Sequence, residues 1–439
     1  MSNFISHPKY TCALGAQQTV LAITRAVPIV HSGPGCAFKV HGLLGQGQSY
    51  VGGGSIPCTN AGSKEVVFGG VNKLDELIRS SFKVLDGDLF VVLTGCTSDI
   101  IGDDIASVAE RYQEEGKPVV YAETGGFKSN NYSSHSTVVN AIIDQYVDKY
   151  RVGEGVEKGL VNVFSSIPDQ DPYWEGNLEE LKRILEGIGL KVNILFGSRS
   201  GGLDEWKTIP NAQLNIVADA WTGVKIAKHL ERKYGTPYLH FPYFPVGGEQ
   251  TSDFLRRVAD AVGADKKLTE QFIKKEEERF YIYLERMADF ILEFKYNIPR
   301  RFYSVLDSSY AVGMSKFLVN ELGILPSGVF ISDNTPEKFQ KLVTEELNNI
   351  SEYRSVTPVF ETDGEKILLE IDKDDHKNRF IILGSAWESH YAKEHDADLL
   401  LLNIPLTYRL VLNCTYIGYN GGLRVIEEIY NGVLSTYRT

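Results

Sequence analysis

Three cysteines stand where a short apolar run or small-residue turn leads into a helical pattern: Cys12 in YTCALGAQQTV, Cys36 in AVPIVHSGPGCAFKV and Cys96 in DLFVVLTGCTSDIIGDDIASV. A thiolate at the carboxyl end of a strand, beside a helix N-terminus, meets backbone N–H groups that favour negative charge. That setting suits reactive thiols, anionic ligands and metal-bound sulfur. The Gly-Pro-Gly run before Cys36 reads as a turn that lets backbone approach a bulky object closely. None of the three belongs to a CxxC pair. Three thiolates are few for a closed structural zinc site, and an iron–sulfur cluster completed by another subunit suits them better. Free cysteine is also among the most buried residue types. On these residues alone, buried thiol, catalytic thiol and metal ligand all remain open.

Other residues with chemistry to offer are fewer. Cys58 follows a glycine-rich run and reads as a packed thiol or a fourth, variable ligand. Cys414, near the chain end, reads as buried. His31, just before the glycine turn, can hydrogen-bond to a cluster, a substrate or its own fold. GSRSGGLDEW at 197–206 lacks the GxxxxGK[ST] pattern of a phosphate loop, so no ATP site is expected in this chain.

The elements that position the cysteines are legible as short apolar runs alternating with helical stretches. AVPIV, DLFVVLTG and KPVVYAET occupy the first third, GLVNVFSSI, KVNILFG, QLNIVAD and TPYLHFP the middle, and RFYSVLD, SGVFISD, RFIILGS and ADLLLLNIP the last. Continuous apolar strands separated by helices predict parallel sheets covered on both faces, hence an α/β fold. Ile101, Ile105, Val108, Ala109 and Tyr112 fall on one helical stripe, with Thr97 or Ser98 as the expected cap. A second, long charged helix is expected from about Thr251 to Phe294. Polar, glycine-rich 151–159 and the stretch around 297–301 divide the chain into three Rossmann-like α/β domains, 1–155, 156–298 and 299–439. The first carries the cysteines.

Composition agrees with this organisation. A chain of 439 residues accommodates about three domains. No apolar stretch reaches the about 18 residues that a membrane span needs. A formal charge of −12 excludes a general nucleic-acid binder, which needs excess Lys and Arg. The N-terminal MSNFISHPKYTC has no secretory signal pattern, so a cytoplasmic location with reduced thiols is expected. Five cysteines there do not form a disulfide framework.

The stretches HSGPGCAFK, EVVFGGVNKLDELI and GCTSDIIGDDIASV, continued by QLNIVADAWTGVKIAKHLERKYGTPYLHFPYFPVG and IPLTYRLVLNCTYIGYNGGLRVIEEIYNGVL, resemble the nitrogenase component 1 family over nearly the whole chain. The family's fold is three Rossmann-like domains. In it, three cysteines from each of two homologous subunits hold the P-cluster, an iron–sulfur relay at the subunit interface. Cys12, Cys36 and Cys96 match those motifs. The resemblance implies an iron–sulfur cluster of P-cluster type, [8Fe-7S] or [4Fe-4S], with Cys58 and Ser134, in YSSHST, as further candidate ligands.

The family's catalytic cofactor lies in the α-type subunit, on one cysteine and one histidine. Asp219 and Ile417 stand at those positions here, so the chain resembles the β-type partner and carries no catalytic residue of its own. The resemblance implies an oxygen-sensitive α2β2 heterotetramer, with a β-type homodimer as the alternative, that receives electrons from an ATP-dependent iron protein. The substrate stays open among dinitrogen, carbon–sulfur compounds and tetrapyrroles. The rival readings are a scaffold subunit that assembles a nitrogenase-type metallocofactor, and an α/β binding protein whose cysteines merely pack.

Overall fold

In the computed structural model, residues 6–7, 9–10, 12–43, 54–128, 130–376 and 378–436 are described. The glycine-rich stretch at 45–53 lies outside them. Among the described residues the strands form three sheets, all parallel. The first has β1 (Ala26–His31), β2 (Leu89–Thr94) and β3 (Val119–Ala122), in that order. The second has β4 (Glu157–Phe164), β5 (Lys191–Asn193), β6 (Ala212–Ala218) and β7 (Tyr238–Phe241), ordered β5-β4-β6-β7. The third has β8 (Arg301–Leu306), β9 (Leu325–Ile331), β10 (Val359–Phe360), β11 (Ile381–Gly384) and β12 (Asp398–Leu401), ordered β10-β9-β8-β11-β12.

Every residue of β2 is buried because helices cover both faces of its sheet. Phe90 and Val92 pack with Leu74 and Ile78 of helix Val71–Val84 and with Ile105, Val108, Ala109 and Tyr112. Leu89, Val91 and Leu93 pack the other way, in the cluster that contains Ala16, Val20, Val138 and Ile142. The period-two alternation of the strand thus meets helical stripes on each side. Helix Asn131–Ile142 joins the sheets by packing on both helix Ala16–Leu21 and helix Thr222–Tyr234. The C-terminal helix Gly418–Thr436 returns from the third sheet to helices Trp174–Gly187, Gly247–Val262 and Lys266–Arg286.

The ten residues after the glycine turn differ from expectation, since Pro34 opens a helix, Pro34–Leu43, that already contains Gly35 and Cys36. Proline suits a first helical position because the missing N–H has no intrahelical partner there. The single helix expected after Cys96 is two, Cys96–Ile101 and Ile105–Glu114, broken at Gly102, which adopts φ 77°. The second starts under an Asp104 cap, whose carboxylate accepts from Ser107 N–H at 3.0 Å, and not under Thr97 or Ser98. The long charged helix is likewise three, Gly247–Val262, Lys266–Arg286 and Ala288–Phe294. Gly263, at φ 65°, closes the first of them. Two-residue β10 was too short to show an apolar run.

No helix among the described residues is long and apolar enough to cross a membrane.

Candidate functional site

The carboxyl ends of the first sheet's strands converge on the cysteines. Cys96 opens its helix two residues after β2, and Ser98 fastens that helix to the neighbouring strand by donating its hydroxyl to the His31 carbonyl at 2.6 Å. Cys12 precedes a single 3-10 turn, Ala13–Gly15, and forms an antiparallel bridge with Asn130. Cys36 lies in the first turn of the helix that follows β1. Cys58 bridges Val30 in parallel, so its segment runs beside β1 towards the same end. All four are half-buried.

Two glycines make the convergence possible. A Cβ built on Gly126, in the loop after β3, would lie 2.5 Å from Cys12 Sγ and 3.2 Å from Cys96 Sγ. The two sulfurs are therefore no farther apart than the sum of those distances. The Gly126 N–H also donates to Cys96 Sγ at 3.2 Å. A Cβ on Gly95 would lie 2.1 Å from Ser32 Oγ and 3.5 Å from Cys36 Sγ, which brings Cys36 against the turn that carries Cys96. Ser32 Oγ and Cys36 Sγ are 3.2 Å apart.

Cys58 faces the same turn, with Asn60 N–H donating to its sulfur at 3.4 Å and the thiol 3.5 Å from the Ser32 carbonyl. Burial pushes the Cys58 thiol up, and the nearby Cys36 adds to this. Lys128, from the loop after β3, pairs with Asp99 of the Cys96 helix at 2.9 Å, closing the loop over the site. Among the described residues no group of three or more His, Cys, Asp or Glu side chains is arranged to hold a metal ion. The donor set is instead a spread of half-buried sulfurs over one face, served by an amide donor and a hydroxyl and kept open by two glycines. That fits half of a polynuclear cluster shared with a second chain better than a mononuclear ion.

Ser134 is buried in helix Asn131–Ile142, and its hydroxyl donates to the Asn131 carbonyl at 3.1 Å. Cys414 packs beside Gly176 of helix Trp174–Gly187, and burial raises its thiol pKa. Sequence reasoning missed Ser32, Gly95 and Gly126. Gly95 and Ser32 had a usable signal, a small residue at the end of a strand one or a few positions before a cysteine. Gly126 had none without the fold.

Residues 11–434 match the family model of nitrogenase component 1 type oxidoreductases. The chain belongs to that family. The beta chain of the nitrogenase molybdenum–iron protein of Methanococcus maripaludis is 25% identical to it over 481 residues, covering 99% of this chain and 95% of that protein. The nitrogenase iron–molybdenum cofactor biosynthesis protein NifE of the same organism is 28% identical over 336 residues, covering 75% and 66%. The solved structure "Nitrogenase Cp1 at pH 6.5" superposes with a TM-score of 0.81 at 20% identity, covering 100% of this chain and 95% of that one, and shares the fold.

Within this nitrogenase component 1 fold a second set of strand ends meets around a cavity of about 30 Å3, room for a water-sized occupant. Asp219 directly follows β6, Asp307 follows β8, and Asp333 lies just beyond β9; Asp171, Tyr132 and Tyr310 also line it. Asp333 is fully satisfied by Trp221 Nε1–H, Ser308 and Thr335. Asp219 accepts from Gly223 N–H at 2.8 Å through one oxygen, while the other is buried with no hydrogen-bond partner. Burial raises its carboxyl to about 7. Burial and the charge of Asp333 also raise Asp307 well above the usual carboxylate range. Ile417 is fully buried and offers no lone pair. A cavity of this size, lined by carboxyls and hydroxyls, has no room and no soft donors for a large metal cofactor.

Proposed function

We propose that this chain is the β-type subunit of a nitrogenase-like reductase. Cys12, Cys36 and Cys96 would hold its half of a subunit-bridging iron–sulfur cluster of P-cluster type, [8Fe-7S] or [4Fe-4S]. When bound, such a cluster accepts and releases single electrons, here between an ATP-dependent iron protein and an active site in a homologous α-type partner. The observation that carries this reading is the meeting of Cys12 and Cys96 over Gly126, with Cys36 against the adjoining Gly95. Scattered packing cysteines have no reason to converge at the carboxyl ends of three strands, where open α/β sheets bind their ligands.

The chain's own residues bind and tune. The Gly126 N–H and the Ser32 hydroxyl are donors aimed at sulfur, which stabilise the more negative, reduced form of a thiolate-bound centre. Lys128 places a positive charge beside Asp99 at the rim. Exposed Phe38, Ile100 and Phe127 stand on the segments that carry these groups, an apolar fringe that suits burial against a partner subunit in an α2β2 assembly. Covering that fringe would also exclude water from the half-buried sulfurs. Asp219 and Ile417 leave catalysis to the partner, whose pocket sets the substrate.

Likeness to a cofactor biosynthesis protein over three quarters of the chain supports a second reading, a scaffold subunit on which a metallocofactor is assembled. Anaerobic purification of the tagged chain with its partner, followed by turnover with an ATP-dependent iron protein, separates the two. Steady multi-turnover reduction identifies the reductase subunit. Iron-containing complex without turnover identifies the scaffold.

A further inference from the structure

A chain of hydrogen bonds leads from a buried carboxylate to Cys36 and has no part in the function proposed so far. Asp103, in the loop where GDD breaks the helical pattern, accepts from the Gly70 N–H at 2.9 and 3.0 Å through its two oxygens. Its Oδ2 lies 2.9 Å from His31 Nε2, and both side chains are buried. Gly70 is required for this contact, since a Cβ there would lie 2.8 Å from both Asp103 Oδ2 and His31 Cε1. Burial lowers the His31 pKa although Asp103 opposes the shift, so the imidazole is neutral at neutral pH.

A neutral ring that donates from Nε2 to a carboxylate must accept at Nδ1. Thr59 Oγ1 lies 3.2 Å from that nitrogen and 3.1 Å from the Ser32 carbonyl, two acceptors that share its one proton. The same hydroxyl oxygen accepts from Ser32 N–H at 3.0 Å, while Ala61 N–H donates to the Ser32 carbonyl at 2.9 Å. Ser32 is thereby held from both sides, and its side-chain hydroxyl sits 3.2 Å from Cys36 Sγ. A thiolate can only accept, so Ser32 is the donor whenever Cys36 is charged or metal-bound.

We infer that Asp103, His31 and Thr59 are positioning residues that fix the Ser32 hydroxyl on the Cys36 sulfur. The inference rests on the reading of Cys36 as a cluster ligand only for its consequence, a tuned electron carrier. Its geometry stands on the cluster-free chain. A donor fixed on the sulfur sets the reactivity of Cys36 in the free chain and favours the reduced state of a bound centre.

The test uses the full chain with Thr59→Val, Thr59→Ser, Ser32→Ala and the Ser32→Ala/Thr59→Val pair. In cluster-free protein, the alkylation rate of Cys36 by iodoacetamide is read peptide by peptide, with Cys414 as the internal control. Thr59→Val and Ser32→Ala should each slow Cys36 several-fold. Thr59→Ser should match the wild type, and the pair should be no slower than Ser32→Ala alone. Should Thr59→Val lose the fold, Asp103→Asn takes its place with the same expectation. In the anaerobically purified complex, the same variants should move the cluster potential to more negative values while iron per chain stays constant. Wild-type Cys36 reactivity in Thr59→Val, or an effect additive with Ser32→Ala, overturns the inference. Absence of iron from the wild-type complex defeats the cluster reading alone, and iron with unaltered Cys36 behaviour defeats this inference alone.

Discussion

The sulfurs of Cys12 and Cys96, which belong to segments far apart in sequence, meet over the Cα of Gly126, whose own N–H donates to Cys96 at 3.2 Å. The loop after β3 is thus shaped by the sulfurs as much as it shapes them. Gly126→Ala would place a methyl 2.5 Å from Cys12 Sγ, inside any permitted contact. The backbone there is not left-handed, so only that collision opposes the change. Gly126→Ala should lower iron per chain to less than half while far-ultraviolet dichroism is unchanged. Gly35→Ala, beside Cys36 but with open space at its Cβ, should keep its iron.

The segment that carries Cys12 is pinned to the far end of the chain. Lys9 is fully buried, with Nζ 2.8 Å from Glu388 Oε1 and 2.6 Å from Ser385 Oγ, and it lies 4.7 Å over the Trp387 ring. Removing one partner strands a buried charge. Lys9→Met should cost on the order of 3–5 kcal/mol, read as a lower urea midpoint. Lys9→Met combined with Glu388→Gln should recover part of the loss, because the orphaned carboxylate is then gone.

Asp219 gives the stability a distinctive pH dependence. Its carboxyl titrates near 7 in the fold and in the ordinary range once unfolded. Between those values the folded state keeps a proton that the unfolded state has released. The contribution is therefore complete below the ordinary carboxyl range, is lost as pH rises towards 7, and changes no further above it. Asp219→Asn retains an oxygen for Gly223 N–H and removes the titration. The melting temperature of Asp219→Asn relative to wild type should rise between pH 5 and pH 8. A difference independent of pH would contradict the assignment.

Much of this was legible in the residues. The apolar runs at 26–30, 88–95 and 397–405 became β1, β2 and β12 because a strand buried on both faces needs no polar alternation, and the α/β class followed. The stripe through Ile105, Val108, Ala109 and Tyr112 is the buried face of a helix, yet its start was misplaced. Gly102 leaves the right-handed region and restarts the helix at Asp104, a break that a pattern of apolar spacings does not register. The three cysteines were visible as residue types at strand ends. Their meeting was implied by the family resemblance alone, because it depends on Gly126 and Gly95, whose lack of a side chain matters only once three separate loops share one space. Asp103 and Thr59 were hidden for a related reason, as their roles come from partners distant in sequence.

The central claim, that Cys12, Cys36 and Cys96 hold half of a shared iron–sulfur cluster, is tested most directly by anaerobic co-purification of the tagged full chain. Iron and acid-labile sulfide are then measured in the wild type and in the Cys12→Ala/Cys36→Ala/Cys96→Ala triple variant. The account predicts a homologous partner subunit, stoichiometric iron and sulfide in the wild-type complex, and loss of both from a triple variant that still folds. Iron-free wild-type protein, or a triple variant with unchanged iron and sulfide, would contradict it.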